Sequence, residues 1–134
     1  MNAKYALSKT GILIFAVCIL IYAASCEMFK QEGKLTVRND SGYEVTKIQL
    51  QSGGTVFSIE SLPNGASKTF DHVIYDGART AVSVFRIEYQ MNGGIYTNED
   101  YDPAYPGSEI TVADEHETVV VIGPTGRWYT RRAY

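Results

Sequence analysis

Two histidines, one cysteine beyond residue 25 and a run of loop acids are the side chains of this 134-residue chain that could do chemistry. His72 follows Asp71, and His116 sits inside Asp114-Glu115-His116-Glu117. A zinc centre takes three or four nitrogen, sulfur or oxygen ligands in a tetrahedron. These positions supply no thiolate and no His-x3-His or Cys-x2-Cys spacing, so they read as surface histidines at turns. Glu99, Asp100, Asp102 and Glu109 crowd one stretch. Calcium wants six to eight oxygens, and the order of these acids lacks the one-three-five spacing of a helix-loop-helix calcium site. They read as a solvated loop. No serine lies in Gly-x-Ser-x-Gly. Gly53-Gly54 and Gly93-Gly94 precede no helical pattern, which makes them hairpin glycines rather than a phosphate cradle. The expectation is a chain with no metal, no cofactor and no catalytic site.

Cys26 is different. It ends the uncharged run Gly11 to Ser25, GILIFAVCILIYAAS, and Lys4 and Lys9 precede that run. A basic start, an apolar stretch of 7–15 residues and small residues at its end make an export signal. The lysines stay on the cytoplasmic side, the apolar run enters the bilayer as a helix, and small residues fit a peptidase groove. A retained membrane helix is the alternative, but it wants roughly 20 apolar residues. Thr10 to Met28 reaches that length only with Glu27 inside it. Cys18 leaves with a cleaved signal, so Cys26 remains as a lone thiol unable to form an internal disulfide. A lone thiol in an exported domain is modified or pairs with another chain.

The run Ala23-Ala24-Ser25-Cys26 resembles the lipobox of bacterial lipoprotein precursors, with Ala23 where leucine most often stands. The resemblance implies that Cys26 becomes the new N-terminus and carries diacylglycerol and acyl chains such as palmitate. Two or more acyl chains give stable membrane anchoring. The predicted location is the bacterial cell envelope, with plain secretion or a single-pass anchor as alternatives.

Removal of residues 1–25 leaves 109, enough for one domain with its own core. Lys4 and Lys9 go with the signal, so the remainder carries 10 basic against 15 acidic residues, net −5. Nucleic-acid binding needs a basic footprint, and none is present. The predicted organisation is a signal over 1–25, a short tether over 26–33 and one domain over 34–134.

That domain must be built of strands. Leu35 and Val37 alternate with polar residues from Lys34 to Asn39, as on a half-buried strand. Further strands are predicted over Val45–Gln51 (Ile48 and Leu50 inward, with Thr46 on the same parity), Thr55–Glu60 (Phe57 and Ile59 inward), Ser67–Val73 (Phe70 inward), Arg79–Gln90, Ile95–Thr97, Ser108–Ala113, Thr118–Ile122 and Arg127–Arg132. Gly, Asn, Asp and Pro clusters punctuate them. The pattern of Arg79–Gln90 is broken: Val82 and Val84 lie on one parity, Phe85, Ile87 and Tyr89 on the other. A β-bulge near Val84-Phe85 or a strand covered on both faces would account for that. Thr118–Ile122 is unbroken apolar and reads as a buried central strand. Asn39-Asp40-Ser41 fits the glycan acceptor pattern, of consequence only in a eukaryotic secretory pathway. Eight or nine short strands without helical periodicity predict an all-β domain, a small antiparallel β-sandwich or alternatively a small β-barrel. In outline the chain is similar to small immunoglobulin-like or transthyretin-like envelope domains.

Two aromatic clusters remain. Tyr96, Tyr101 and Tyr105 lie in or beside the acidic loop, and Trp128, Tyr129 and Tyr134 lie among Arg127, Arg131 and Arg132. Tyrosine and arginine are favoured at binding hot spots, and loops on rigid sheets often carry recognition. Trp128 reads as core. Tyr96, Tyr101, Tyr105, Arg127, Arg131 and Arg132 are the predicted interaction surface, with the terminal arginines alternatively guarding an edge strand. The function expected is binding of an envelope protein or a polysaccharide by a membrane-tethered, non-enzymatic domain. A structural subunit of an envelope assembly is the second expectation and a small hydrolase or inhibitor the third.

Overall fold

The computed structural model describes residues 30–75, 82–113 and 116–133. The predicted signal, Cys26, Tyr134 and the side chain of His72 lie outside them. The chain divides between Lys30 and Gln31, and the fold below belongs to the second unit. Among the described residues no helix is long and apolar enough to cross a membrane.

Among the described residues nine strands form: β1 (Lys30–Asn39), β2 (Val45–Ser52), β3 (Thr55–Leu62), β4 (Ser67–Tyr75), β5 (Val82–Met91), β6 (Gly94–Tyr96), β7 (Ile110–Ala113), β8 (Glu117–Ile122) and β9 (Trp128–Ala133). A single turn of 3-10 helix, η1, covers Asn98–Asp100. The first sheet has the order β4-β1-β8-β9, and the second β3-β2-β5-β6 with β7 also on β5. The two ladders stay separate, which makes a sandwich and not a barrel. One pairing departs from the expected antiparallel pattern: β1 and β8 run parallel, Lys34 opposite Glu117 through Asn39 opposite Ile122. A parallel pair needs a long crossover, and the whole second sheet intervenes in sequence between these two strands.

The core lies between the sheets. Leu35, Val37, Val120, Ile122 and Trp128 face it from the first sheet; Ile48, Leu50, Ile59, Phe85, Ile87, Tyr89, Ile110 and Val112 face it from the second. Fully burying one such side chain contributes roughly 1.5–3 kcal/mol, so this set stabilises the fold without a disulfide. Phe57 stacks on Phe70 at 4.7 Å and on Phe85 at 5.8 Å, which closes the β3–β4 side. Gly33 marks the closest approach of β1 to β7: a Cβ there would lie 2.5 Å from Val112 Cγ1 and 2.6 Å from the Ala113 carbonyl oxygen.

Strand β5 needs neither proposed account of its broken pattern. Phe85, Ile87, Tyr89 and Met91 are buried on one parity, and Val84 is simply 49% exposed on the other. Its register with β7 runs without a shift from Val82 to Phe85. The irregularity sits on the neighbouring strand instead. Between Thr46 and Gln49 the β2–β5 register slips, with Lys47 at φ 51°. This bulge moves the inward parity of β2 from Val45 to Ile48 and Leu50, all three fully buried, and leaves Thr46 half-buried.

Asn39 is no glycan acceptor. It is fully buried, and its Nδ2 donates to the carbonyls of Tyr43 (2.7 Å) and Leu62 (2.8 Å). Its Oδ1 accepts from the Ser41 amide and hydroxyl.

Candidate interaction surface

The loop that carries the acids also positions the tyrosines, and its own polar groups hold it in shape. Thr97 caps η1. Its backbone N–H donates to Asp100 Oδ2 at 2.7 Å, and its hydroxyl accepts from the Glu99 amide. Asp102 Oδ1 accepts from the Ala104 amide at 3.0 Å. Asp100 and Asp102 thus satisfy loop backbone, a use of short acidic side chains at caps and turns. Among the described residues no group of three His, Cys, Asp or Glu is placed to hold a metal ion. His116 is exposed just before β8.

Trp128 is fully buried, as expected, and also grips the loop: its Nε1 donates to the Thr97 carbonyl at 3.0 Å. Tyr101 bridges to Trp128 in parallel and tilts against its ring at 6.4 Å. The Asp102 amide donates to the Trp128 carbonyl at 2.7 Å. The loop therefore closes the edge of β9 at its start.

The six residues predicted to form a surface fall into three places. Tyr96 is half-buried and stacks on Tyr89 at 5.3 Å with the rings 7° apart, in a packing role beside Gly126. Arg127 is exposed, and its carbonyl accepts from Gly123 to close the β8–β9 turn. Tyr105 lies over the start of β9, and Arg131 and Arg132 follow further along that strand. Tyr105 is 43% exposed and stacks on Tyr129, centroids 3.8 Å apart and planes 7° apart. Arg131 and Arg132 line a recess of about 550 Å³ with Gly107, Glu109, Thr118 and Thr130. Tyr101 lies between these groups on the loop.

Two contributors were not among those six. Tyr129 is the partner that makes Tyr105 a rigid platform, and partial burial pushes its phenol up, with Tyr105 adding to the shift. Arg38 pairs with Asp40 through Nε at 2.8 Å, and that contact raises the guanidinium further. Arg38 and Tyr129 both sit opposite Val121, in β1 and β9 respectively. Directly opposed residues share a sheet face, so the two flank one outer row. The alternation of β1 and β9 carried that signal; the parallel pairing that brings them together did not show in the sequence.

No protein-family model and no curated protein matches the chain. Two solved structures are similar to it. A protein from Eubacterium rectale, solved by NMR, is 11% identical with a TM-score of 0.47, over 76% of this chain and 88% of its own. The N-terminal domain of AlgF from P. aeruginosa is 11% identical with a TM-score of 0.41, over 78% of this chain and 96% of its own. At this identity and TM-score neither says what this chain binds.

Proposed function

We propose that this chain is a non-enzymatic exported domain of the bacterial cell envelope. It is lipid-anchored at Cys26 and binds an envelope protein or polysaccharide through the face bearing Tyr105, Arg131 and Arg132. The observation that carries the binding is exposed Tyr105 stacked on half-buried Tyr129, with exposed Arg131 two residues further along the same strand face and exposed Arg132 next to it in the chain. A planar aromatic surface with cationic neighbours offers area and directed donors at low conformational cost. The anchoring rests on Ala23-Ala24-Ser25-Cys26 behind the apolar run. Strand β1 begins at Lys30, so only Glu27, Met28 and Phe29 separate it from Cys26. At about 3.3–3.6 Å per residue that span reaches at most ~15 Å, and the domain works against its own membrane.

Sedimentation with isolated envelopes tests both parts. The full chain should sediment with them. Cys26→Ser should release it into the soluble fraction unless the partner holds it. Adding Tyr105→Ala, Arg131→Ala and Arg132→Ala to Cys26→Ser should reduce the remaining association. Full retention of that combined variant would refute the surface, and full retention of Cys26→Ser in envelopes stripped of protein and polysaccharide would refute the anchor.

A further inference from the structure

The second sheet carries a different constellation on its outward face. In the β2–β5 register Gln49 stands opposite Glu88, and Gln51 opposite Arg86. Residues two apart on a strand share a face, about 7 Å apart, and directly opposed residues are about 5 Å apart. The four side chains therefore form a square grid. All four are exposed.

A wall stands beside this floor, and the topology of β5 explains it. Strand β6 ends at Tyr96, just past the pairing of Tyr89 with Tyr96, and β7 joins only at Phe85, opposite Ile110. Residues Arg86 to Glu88 have no strand on that edge. The Thr97–Glu99 turn fills the gap, and Asn98 Oδ1 accepts the Ile87 amide. The Thr97 cap and the indole of Trp128 fix the turn from behind. Floor and wall enclose an open groove of about 620 Å³ lined by Gln49, Gln51, Arg86, Glu88, Asn98 and Glu99.

We propose that this groove binds a neutral polysaccharide. Sugar hydroxyls both donate and accept. Two amides, a carboxylate and a guanidinium on fixed backbone present both kinds of partner side by side. Arg86 offsets Glu88 on the floor and Glu99 leaves the lining at net −1, which repels a polyanion, whereas an uncharged polyol carries no charge to be repelled. Exposed Val56, opposite Gln51 on β3, and exposed Val84 flank the floor and offer apolar contact to the carbon faces of a sugar ring. The groove lacks the deep apolar pocket that anchors a peptide side chain. This rests on the envelope location proposed above and adds a second binding surface on the other sheet, so its failure leaves the anchor and the Tyr105 surface standing.

The test uses the full chain, isotope-labelled, in a zwitterionic detergent without sugar headgroups. It is titrated with neutral hexasaccharides (glucose, mannose and galactose types) and, in parallel, with a uronic acid hexasaccharide and an acidic peptide. At least one neutral sugar should shift the amides of Gln49, Gln51, Arg86, Glu88 and Asn98. Glu88→Ala should weaken that binding at least fivefold with an unchanged melting temperature, and Lys68→Ala, exposed on β4 of the other sheet, should leave it unaltered. The proposal is overturned if no neutral sugar shifts these amides, if only the acidic ligands do, or if Glu88→Ala binds as tightly as the parent.

Discussion

Asn39 closes one end of the sandwich. Its side chain satisfies the Tyr43 and Leu62 carbonyls, and its backbone accepts from Gly65 and donates to Ala66. Asn39→Ala removes the side-chain donor to the Leu62 carbonyl and the acceptor of the buried Ser41 amide, at roughly 1–3 kcal/mol each. Chemical denaturation should show a loss of about 2–4 kcal/mol, against under 0.5 kcal/mol for Lys68→Ala on the exposed face of β4. Asn39 was legible only as a turn residue, because a buried amide with four partners needs the two loops that the fold brings to it. Tyr89 is the second such residue. Its hydroxyl donates to the Gly126 carbonyl inside the core, and burial pushes the phenol up, with Asp100 adding to the shift. The unfolded phenol titrates near pH ~10. A raised folded value means the contribution is complete below that pH and is lost as pH climbs above it. Stability should therefore fall above pH ~10, by up to about 1.4 kcal/mol per pH unit for this one group. Tyr89→Phe should be less stable at pH 7 and decline less steeply in the alkaline range; parallel declines would contradict this assignment.

At the scale of elements, the turns were the most readable part. Asn92-Gly93 takes positive φ at both residues, 48° and 81°, the geometry that an Asn-Gly hairpin favours. Strand alternation placed Leu35, Val37, Ile48, Leu50 and Ile59 inward correctly, because a period of two is fixed by the backbone itself. Two features escaped it. The Lys47 bulge is a departure from the period and has no glycine to announce it. Val84 and Val121 are both valines, one exposed and one buried, because what covers a face is decided by neighbours distant in sequence. Gly126 illustrates the same dependence. It has φ 79°, and a Cβ would come within 2.6 Å of Met91 Cε and 2.7 Å of Tyr96 Cζ. The turn signal foretold the conformation, and only the packing reveals the crowding. Gly126→Ala should cost more than the roughly 1 kcal/mol of a left-handed alanine, about 2–4 kcal/mol once overpacking is added. Gly65→Ala, with φ 81° and open space around it, should cost only the conformational part. Thermal melts of the two variants should separate accordingly.

For the whole molecule, an all-β domain with a single core followed from strand count and turn spacing, which left sandwich and barrel both open; the two separate sheets decide for the sandwich. The split of the predicted surface did not follow. Residues clustered in sequence between 96 and 105 divide between core packing at Tyr96 and an exposed stack at Tyr105. The constellation in the second sheet was invisible for the opposite reason: Gln49, Gln51, Arg86 and Glu88 are ordinary solvent-face residues until the register aligns them. The two faces give the proposed envelope role its geometry, and the account stands on the anchor that would hold them near a membrane. Intact mass of the protein extracted from its native membrane, beside a Cys26→Ser variant, tests that anchor most directly. The account predicts a chain beginning at Cys26 with added acyl mass that the variant lacks. A mass that still includes residues 1–25, or an unmodified chain beginning at Cys26, would contradict it.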